Sequence, residues 1–178
     1  EEKTTIKRRL LDSYKPIVTL GMARDGVDYE QTVFGWSEGF SPDKQLYAYV
    51  RLKARPTAQT RGSGKVPDIV SLMTPDEKLR MDFTTVRDAS SAQVWLKFPW
   101  PKPSEAVAVT PAEFEKTLKS TSEFWQKQIA QAARFEVPDK RVSEAYRAWI
   151  AYSKLIVDKI NGIYEPHDGA GFYEENYG

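Results

Sequence analysis

The acidic residues that fall outside helix surfaces and turns cluster late in the chain, with aromatic residues between them. The acids are Glu165, Asp168, Glu174 and Glu175, and the aromatics are Tyr164, Phe172, Tyr173 and Tyr177. Carboxyl groups are general acid or base candidates, and hydrolysis of a glycosidic bond uses two of them about 5 to 9.5 Å apart. Aromatic faces beside acids suit sugar rings. The segment is therefore a candidate sugar-binding site, with a solvent-exposed acidic loop as an equally weighted alternative.

Other reactive groups are scarce. The stretch 61–66 resembles a phosphate-binding loop, but Gln59 replaces its leading Gly and Val66 replaces the Ser or Thr that binds magnesium, so an ordinary flexible loop is favoured. The chain has one His, His167, which excludes a two-His metal site, and a hydrogen-bonded loop histidine is the favoured interpretation. The absence of Cys excludes disulfides, thiolate metal sites and a cysteine nucleophile. No cofactor is expected.

Two tryptophans beside Gly or Pro, Trp36 and Trp100, are further candidates for sugar platforms. A lid over the hydrophobic core is the favoured interpretation of both.

The composition is typical of a folded chain with little net charge. Its 178 residues allow one ordinary domain or two small ones, and 12% aromatic residues are enough to close a core. A net charge of +1 gives little attraction for nucleic acid or an anionic membrane. The start, Glu1-Glu2-Lys3-Thr4-Thr5, lacks an initiator Met, which predicts a processed or excised piece of a longer protein.

The first 109 residues read as antiparallel β structure, because short apolar runs alternate and are broken by Gly, Pro and Asp. The clearest strands are Tyr47–Leu52, Ile69–Met73, Met81–Val86 and Ala92–Phe98, and weaker ones lie at Pro16–Ala23 and Thr32–Trp36. Turn residues at 74–78 and 88–91 join the later strands. We therefore expect the region from Tyr47 to Phe98 to form consecutive antiparallel strands of one sheet.

Two helices follow. Thr110-Pro111 with Glu113 predicts an N-cap, a first-turn proline and a returning hydrogen bond, and the helix should run to about Ala133. Asp139 is the predicted cap of a second helix that ends at Asn161-Gly162. This helix has a broad apolar face that needs more than one neighbour.

The proline-rich segment from Pro99 to Ser104 is the predicted boundary between a β-rich domain, residues 1–103, and a helical part, residues 104–178. The tail from Ile163 to Gly178 has no regular period and is predicted to be loop.

The residues from Thr110 onward resemble the entry into the (α/α)6 barrel of six-hairpin glycosidases. The matching positions are Phe124-Trp125, Ile129, Phe135-Glu136-Val137-Pro138-Asp139, Val142, Ala145-Tyr146, Ala148-Trp149 and Leu155. The loop with Tyr164-Glu165-Pro166 and Gly171-Phe172-Tyr173 is similar to one that displays aromatic and acidic groups toward the sugar. The likeness covers about the last 70 residues, and the first 109 match only in being β-rich.

The resemblance implies an α+β fragment: an antiparallel β-sandwich or sheet, a linker helix and the first helix of a truncated (α/α)6 barrel. It implies that the parent is a glycoside hydrolase in the periplasm or outside the cell. The catalytic acid and base would come from later hairpins, so no catalytic residue is assigned here. The substrate-proximal residues that it implies are Tyr164, Asp168, Tyr173 and Glu174.

The expected partners are carbohydrate and either the rest of the barrel or a second copy bound through the second helix, with no nucleic acid and no membrane. A stand-alone carbohydrate-binding module, or a structural and interaction module, is the alternative function.

Overall fold

The computed structural model of the chain describes residues 6–57, 66–73 and 80–155, and it describes the backbone alone of 157–160, 163–168 and 171–172. The described chain is α+β, because an antiparallel sheet of several strands is followed by two helices. The coarse fold class predicted from the sequence is therefore confirmed.

The main sheet has the strand order β1-β2-β3-β4-β8-β7, and the short strand β9 also pairs with β8. The strands are β1 (Lys7–Leu11), β2 (Lys15–Arg24), β3 (Val27–Trp36), β4 (Tyr47–Pro56), β7 (Val86–Arg87), β8 (Ala92–Pro99) and β9 (Val107–Ala108). Each pairing in the sheet is antiparallel. The domain boundary between residues 103 and 104 stays a prediction. The strand β9 comes after this boundary in the chain but pairs with β8, which comes before it.

The remaining predicted strands form a second layer instead of extending the same sheet. Within the part of the chain that the structure describes, β5 (Ile69–Met73) and β6 (Arg80–Thr84) pair only with each other, whereas β4 pairs with β8 over Tyr47–Ala54. The expectation of one sheet from Tyr47 to Phe98 is therefore wrong. Turn residues fix which strands form a hairpin, but they do not fix the layer in which the hairpin lies.

Apolar packing explains the second layer. One face of the β5–β6 hairpin carries Val70, Leu72, Met81 and Phe83, which pack against a buried cluster of the main sheet. That cluster consists of Val50, Val94, Leu96, Phe98 and Ala106. Covering this face removes apolar surface from water on both layers, which stabilises the layered arrangement.

The chain leaves the hairpin layer at Thr85, where a single predicted strand, Met81–Val86, is interrupted. The Thr85 backbone N–H donates to the Asp68 carbonyl over 2.9 Å, and its hydroxyl donates to the Pro67 carbonyl over 3.0 Å. These bonds satisfy the backbone at the break between β6 and β7.

The opposite face of the main sheet is covered by the helix α1 (Pro111–Ala130). Phe114 is fully buried and lies in one cluster with Ile17, Phe34, Tyr49 and Trp95. The rings of Phe114 and Phe34 meet edge to face with centroids 5.3 Å apart. The main sheet is therefore a middle layer between α1 and the hairpin.

The predicted Thr110 cap of α1 is confirmed, but the Glu113 carboxylate bonds to the sheet instead of returning a hydrogen bond to the cap. The Thr110 side chain accepts a hydrogen bond from the Glu113 backbone N–H over 3.1 Å, and Pro111 occupies the first turn. The Glu113 carboxylate accepts from the Lys97 ammonium at 2.7 Å and from the Tyr49 hydroxyl at 3.3 Å. The side chain of Glu113 thus ties the helix to β4 and β8.

The second helix, α2 (Lys140–Leu155), is shorter than predicted. Val157–Ile160 forms the strand β10, which pairs with β11 (Ile163–Asp168), and β11 pairs with β12 (Gly171–Phe172). The predictions of helix to Asn161-Gly162 and of loop from Ile163 are therefore wrong. Asn-Gly is a helix stop, but between two apolar runs it is also the strongest two-residue hairpin signal.

Candidate functional site

The helix α2 exposes apolar side chains along the side that points away from the rest of the described protein. We call this the α2 outer face, and its members are Val142, Ala145, Trp149, Tyr152 and Leu155. Trp149 is 61% exposed and Tyr152 is 57% exposed. Positions 142, 145, 149 and 152 follow helical spacing, so they form one continuous stripe.

Two charged side chains of α2 contact the body of the protein on the side of the helix that buries Ser143, Ile150 and Ala151. The Arg147 guanidinium lies 5.7 Å from the centre of the Tyr14 ring and 3.7 Å from the Glu136 carboxylate. The Lys154 ammonium donates to the Gln128 carboxamide of α1 over 3.2 Å. A surface helix normally turns its apolar stripe to the core and its polar side chains to solvent, whereas α2 also exposes an apolar stripe.

Aromatic rings extend the α2 outer face toward the segment between the helices. The Phe135 and Tyr146 rings have centroids 4.9 Å apart, and the Tyr146 and Trp149 rings stack with centroids 6.3 Å apart. Phe135 is exposed like Trp149. The result is a run of three rings, and large aromatic side chains of this kind dominate the energetics of interfaces.

The start of α2 is fixed by local hydrogen bonds. The Asp139 carboxylate accepts from the Arg141 backbone N–H over 2.9 Å, which confirms Asp139 as a cap. Hydrogen bonds from the Arg141 side chain, and then from its backbone, hold the pKa of Asp139 below its usual value. The Ser143 hydroxyl accepts from the Val137 backbone N–H over 3.2 Å. The outer face therefore stands on a well-anchored helix.

The residues predicted to lie near a sugar belong to the segment after α2. Tyr164 and Asp168 both lie on β11, where alternation places them on the same face of the strand. The cross-strand partner of Tyr164 is Lys159, and that of Asp168 is Gly171. Tyr173 and Glu174 lie outside the described residues. Alternation along β11 thus places two of the four predicted residues on one face of the strand.

A half-buried polar cluster lies where α1 meets the sheet. Burial raises the pKa of the Tyr49 hydroxyl, and the hydrogen bond to Glu113 raises the pKa of the Lys97 ammonium. Both groups donate to the same oxygen of the Glu113 carboxylate, and these two hydrogen bonds hold α1 to the sheet. We assign this cluster a structural role.

A second buried cation, Lys15, donates to the Ser122 hydroxyl over 2.8 Å and pairs with the Asp12 carboxylate over 2.7 Å. These two contacts hold the β1–β2 turn against α1, so we assign Lys15 a structural role.

Within residues 6–57, 66–73 and 80–155, no group of three His, Asp or Glu side chains could hold a metal ion. None of the helices in those ranges is both long enough and apolar enough to cross a bilayer.

The chain was compared with protein-family models, with curated proteins and with solved structures, and none of the three comparisons found a significant match.

Proposed function

We propose that the chain is the N-terminal part of a glycoside hydrolase-like protein of the six-hairpin type, in which α1 is the linker helix and α2 is the first helix of a helical barrel. The observation that carries the proposal is the apolar stripe that α2 exposes in addition to the side that buries Ile150 and Ala151. The first helix of a barrel needs this arrangement, because its neighbours in the barrel cover its outer side.

The composition of the α2 outer face supports a helical neighbour. Ala145 and Ala148 are small and allow close approach of another helix, while Trp149 and Tyr152 supply large knobs on either side. Between Val142 and Leu155, the outer face carries no charged residue. Helix pairs with such surfaces pack with axes about 8 to 10 Å apart.

The proposed carbohydrate site is the strand β11 and the residues that follow it. Tyr164 and Asp168 share one face of β11, and Tyr173 and Glu174 come shortly after it in the chain. One aromatic ring and one carboxylate on the same strand face can bind a sugar by stacking and hydrogen bonding. They cannot supply an acid and a base on opposite sides of a glycosidic bond. The chain by itself is therefore proposed to be non-catalytic.

The gene itself tests this proposal. We expect the reading frame to continue beyond Gly178 with helical hairpins, over on the order of 300 residues or more, as the helix number and ordinary helix and loop lengths require. A frame that stops within a few residues of Gly178, or that continues without amphipathic helix pairs, would contradict the proposal.

A stand-alone interaction module is the second candidate function, and the exposed α2 outer face favours it as well. In that case the partner is another polypeptide and the parent has no barrel. The same reading frame separates the two candidates.

A further inference from the structure

Trp100 lies on the surface, immediately after the end of β8. Its side chain is 58% exposed, so the interpretation of this residue as a lid over the core is wrong. Trp36, the other tryptophan weighed in the same way, does pack on the core, with its ring edge to face with Tyr49. Leu46 is exposed next to Trp100, and it precedes the first residue of β4.

The backbone of Trp100 is held on both sides. Its N–H donates to the Leu46 carbonyl over 2.8 Å, and its carbonyl accepts from the Gln45 carboxamide nitrogen over 3.1 Å. The same nitrogen also donates to the Leu46 carbonyl over 2.7 Å. The indole is therefore displayed on a pre-organised turn, and a ligand that stacks on it pays little for ordering the chain.

The carboxamide of Gln45 supplies a polar group at the backbone of Trp100. Its nitrogen is engaged by two backbone carbonyls, which orients the side chain and leaves the oxygen as an acceptor at the exposed surface. An oriented acceptor and an exposed indole on one turn suit the two sides of a pyranose, a rim of hydroxyl donors and an apolar C–H face.

We infer that Trp100 and Gln45 form a binding site for a pyranose unit of an oligosaccharide, with the sugar ring stacked on the indole and a hydroxyl donating to the Gln45 carboxamide oxygen. The size of the surface favours a sugar over a protein. Among the described residues, the large apolar side chains exposed here are Leu46 and Trp100, and two side chains fall far short of the roughly 800 Å² per partner of a standard protein interface.

This inference shares a ligand class with the proposed function but does not rest on it. Trp100 and Gln45 belong to the β-rich part of the chain, whereas the proposed carbohydrate residues Tyr164 and Asp168 lie after α2.

The test is a titration of the ¹⁵N-labelled chain followed by two-dimensional NMR. The probes are cellotetraose, xylotetraose, mannotetraose, chitotetraose and maltotetraose, each up to about 10 mM, a range that detects millimolar affinity. The chain has five tryptophans, so the indole N–H signals are few and can be assigned by single substitutions. At least one probe is expected to shift the indole signal of Trp100 and the amide signals of Gln45 and Leu46.

Four substitutions sharpen the test. Trp100→Ala should weaken binding about tenfold or more, and Trp100→Phe should keep part of the affinity because it keeps a ring. Trp149→Ala is the matched control, because Trp149 is equally exposed but lies on α2, and this variant should bind as the wild type does. If Trp100→Ala does not fold, the Phe variant and the Gln45→Leu variant, which removes the acceptor, still report on the site.

The outcomes are distinguishable. Shifts at Trp100 that Trp100→Ala abolishes support the inference whether or not Tyr164 and Asp168 respond. Wild-type shifts that map to β11 alone, with no shift at Trp100, Gln45 or Leu46, would overturn the inference and favour the proposed function. Binding that Trp149→Ala abolishes would overturn it in favour of the α2 outer face. Absence of binding to all five probes would also overturn it.

Discussion

Thr110 begins α1 with one side-chain hydrogen bond, and this bond sets the first prediction. Thr110→Ala removes the acceptor for the Glu113 backbone N–H and should lower the free energy of unfolding by about 1 kcal/mol. Thr110→Ser retains the hydroxyl and should leave the stability nearly unchanged. Urea denaturation of the two variants checks this. Equal midpoints for the Ala variant and the wild type would show that the cap is not needed.

Asp88 predicts how stability responds to acid. The Ser90 backbone N–H, then the Ser91 and Ser90 hydroxyls, hold the pKa of Asp88 well below its usual value. A carboxyl group whose pKa falls on folding stabilises the protein above its unfolded value of about 4, and the contribution is lost as pH falls through the lower folded value. Asp88→Asn should therefore cost stability near pH 7, and this cost should shrink below about pH 4.

Denaturation of the wild type and of Asp88→Asn across this pH range measures the difference. Ser91→Ala, which removes a 2.8 Å donor to the same carboxylate, should reduce the pH dependence without removing the charge. A difference between wild type and Asp88→Asn that stays constant from pH 7 to pH 3 would be inconsistent with the folded-state hydrogen bonds at Asp88.

At the scale of elements, the β5–β6 hairpin is held by one of its faces, which gives a paired prediction. Leu72 packs against the main sheet, whereas its neighbour Met73 is exposed. Leu72→Ala should therefore destabilise the fold by about 2 kcal/mol, the low end for core leucines because Leu72 is only half-buried. Met73→Ala should change the stability by no more than about 0.5 kcal/mol. Thermal or urea denaturation of both variants measures the two effects, and similar losses would mean that the hairpin does not pack by this face.

The strands themselves were predictable because alternation of apolar residues is a local signal. The strands around Tyr47–Leu52 and Ala92–Phe98 were placed correctly, and those at Pro16–Ala23 and Thr32–Trp36 are parts of longer strands. Their partners were not predictable. β4 pairs with β8 across some 40 residues, and no local pattern states which distant strand offers the matching face. The basic strand β1 was missed because Lys7, Arg8 and Arg9 lack apolar alternation.

The α2 outer face predicts self-association of the isolated chain. Trp149→Glu places a charge in the centre of the face and should shift the chain toward monomer, because burying an unpaired carboxylate is costly. Lys140→Glu is the matched control, because Lys140 lies on the same helix but away from the stripe. Its side chain is 86% exposed. Sedimentation velocity over a range of concentrations measures both. A wild type that stays monomeric at high concentration would contradict the prediction that the α2 outer face binds a second copy, and it would weaken the proposal that a neighbouring helix covers this face.

At the scale of the whole molecule, the sequence predicts the type of the candidate site better than its position. The sequence indicated a second helix with more apolar surface than one neighbour can cover, and the structure shows that surface facing outward. The sequence offered Trp100 as a candidate sugar platform but favoured a lid over the core, and it did not indicate Gln45, because the proximity of the two residues arises from the pairing of β4 with β8. The end of α2 was misplaced because the apolar residues from 156 to 160 suit both a helix and a strand.

The last prediction concerns activity. The isolated chain should hydrolyse no aryl glycoside, because an acid and a base must be held on opposite sides of the bond to within about 0.5 Å, and one strand with a short following segment does not provide two such positions. Binding tolerates looser geometry. We expect affinity for an oligosaccharide of about 1 mM, near 4 kcal/mol, through Tyr164, Asp168, Tyr173 and Glu174. Tyr164→Ala and Asp168→Asn should each weaken the shifts seen by NMR at these residues, whereas Trp100→Ala should not. Turnover that Asp168→Asn or Glu174→Gln abolishes would instead identify the chain as a small self-sufficient enzyme.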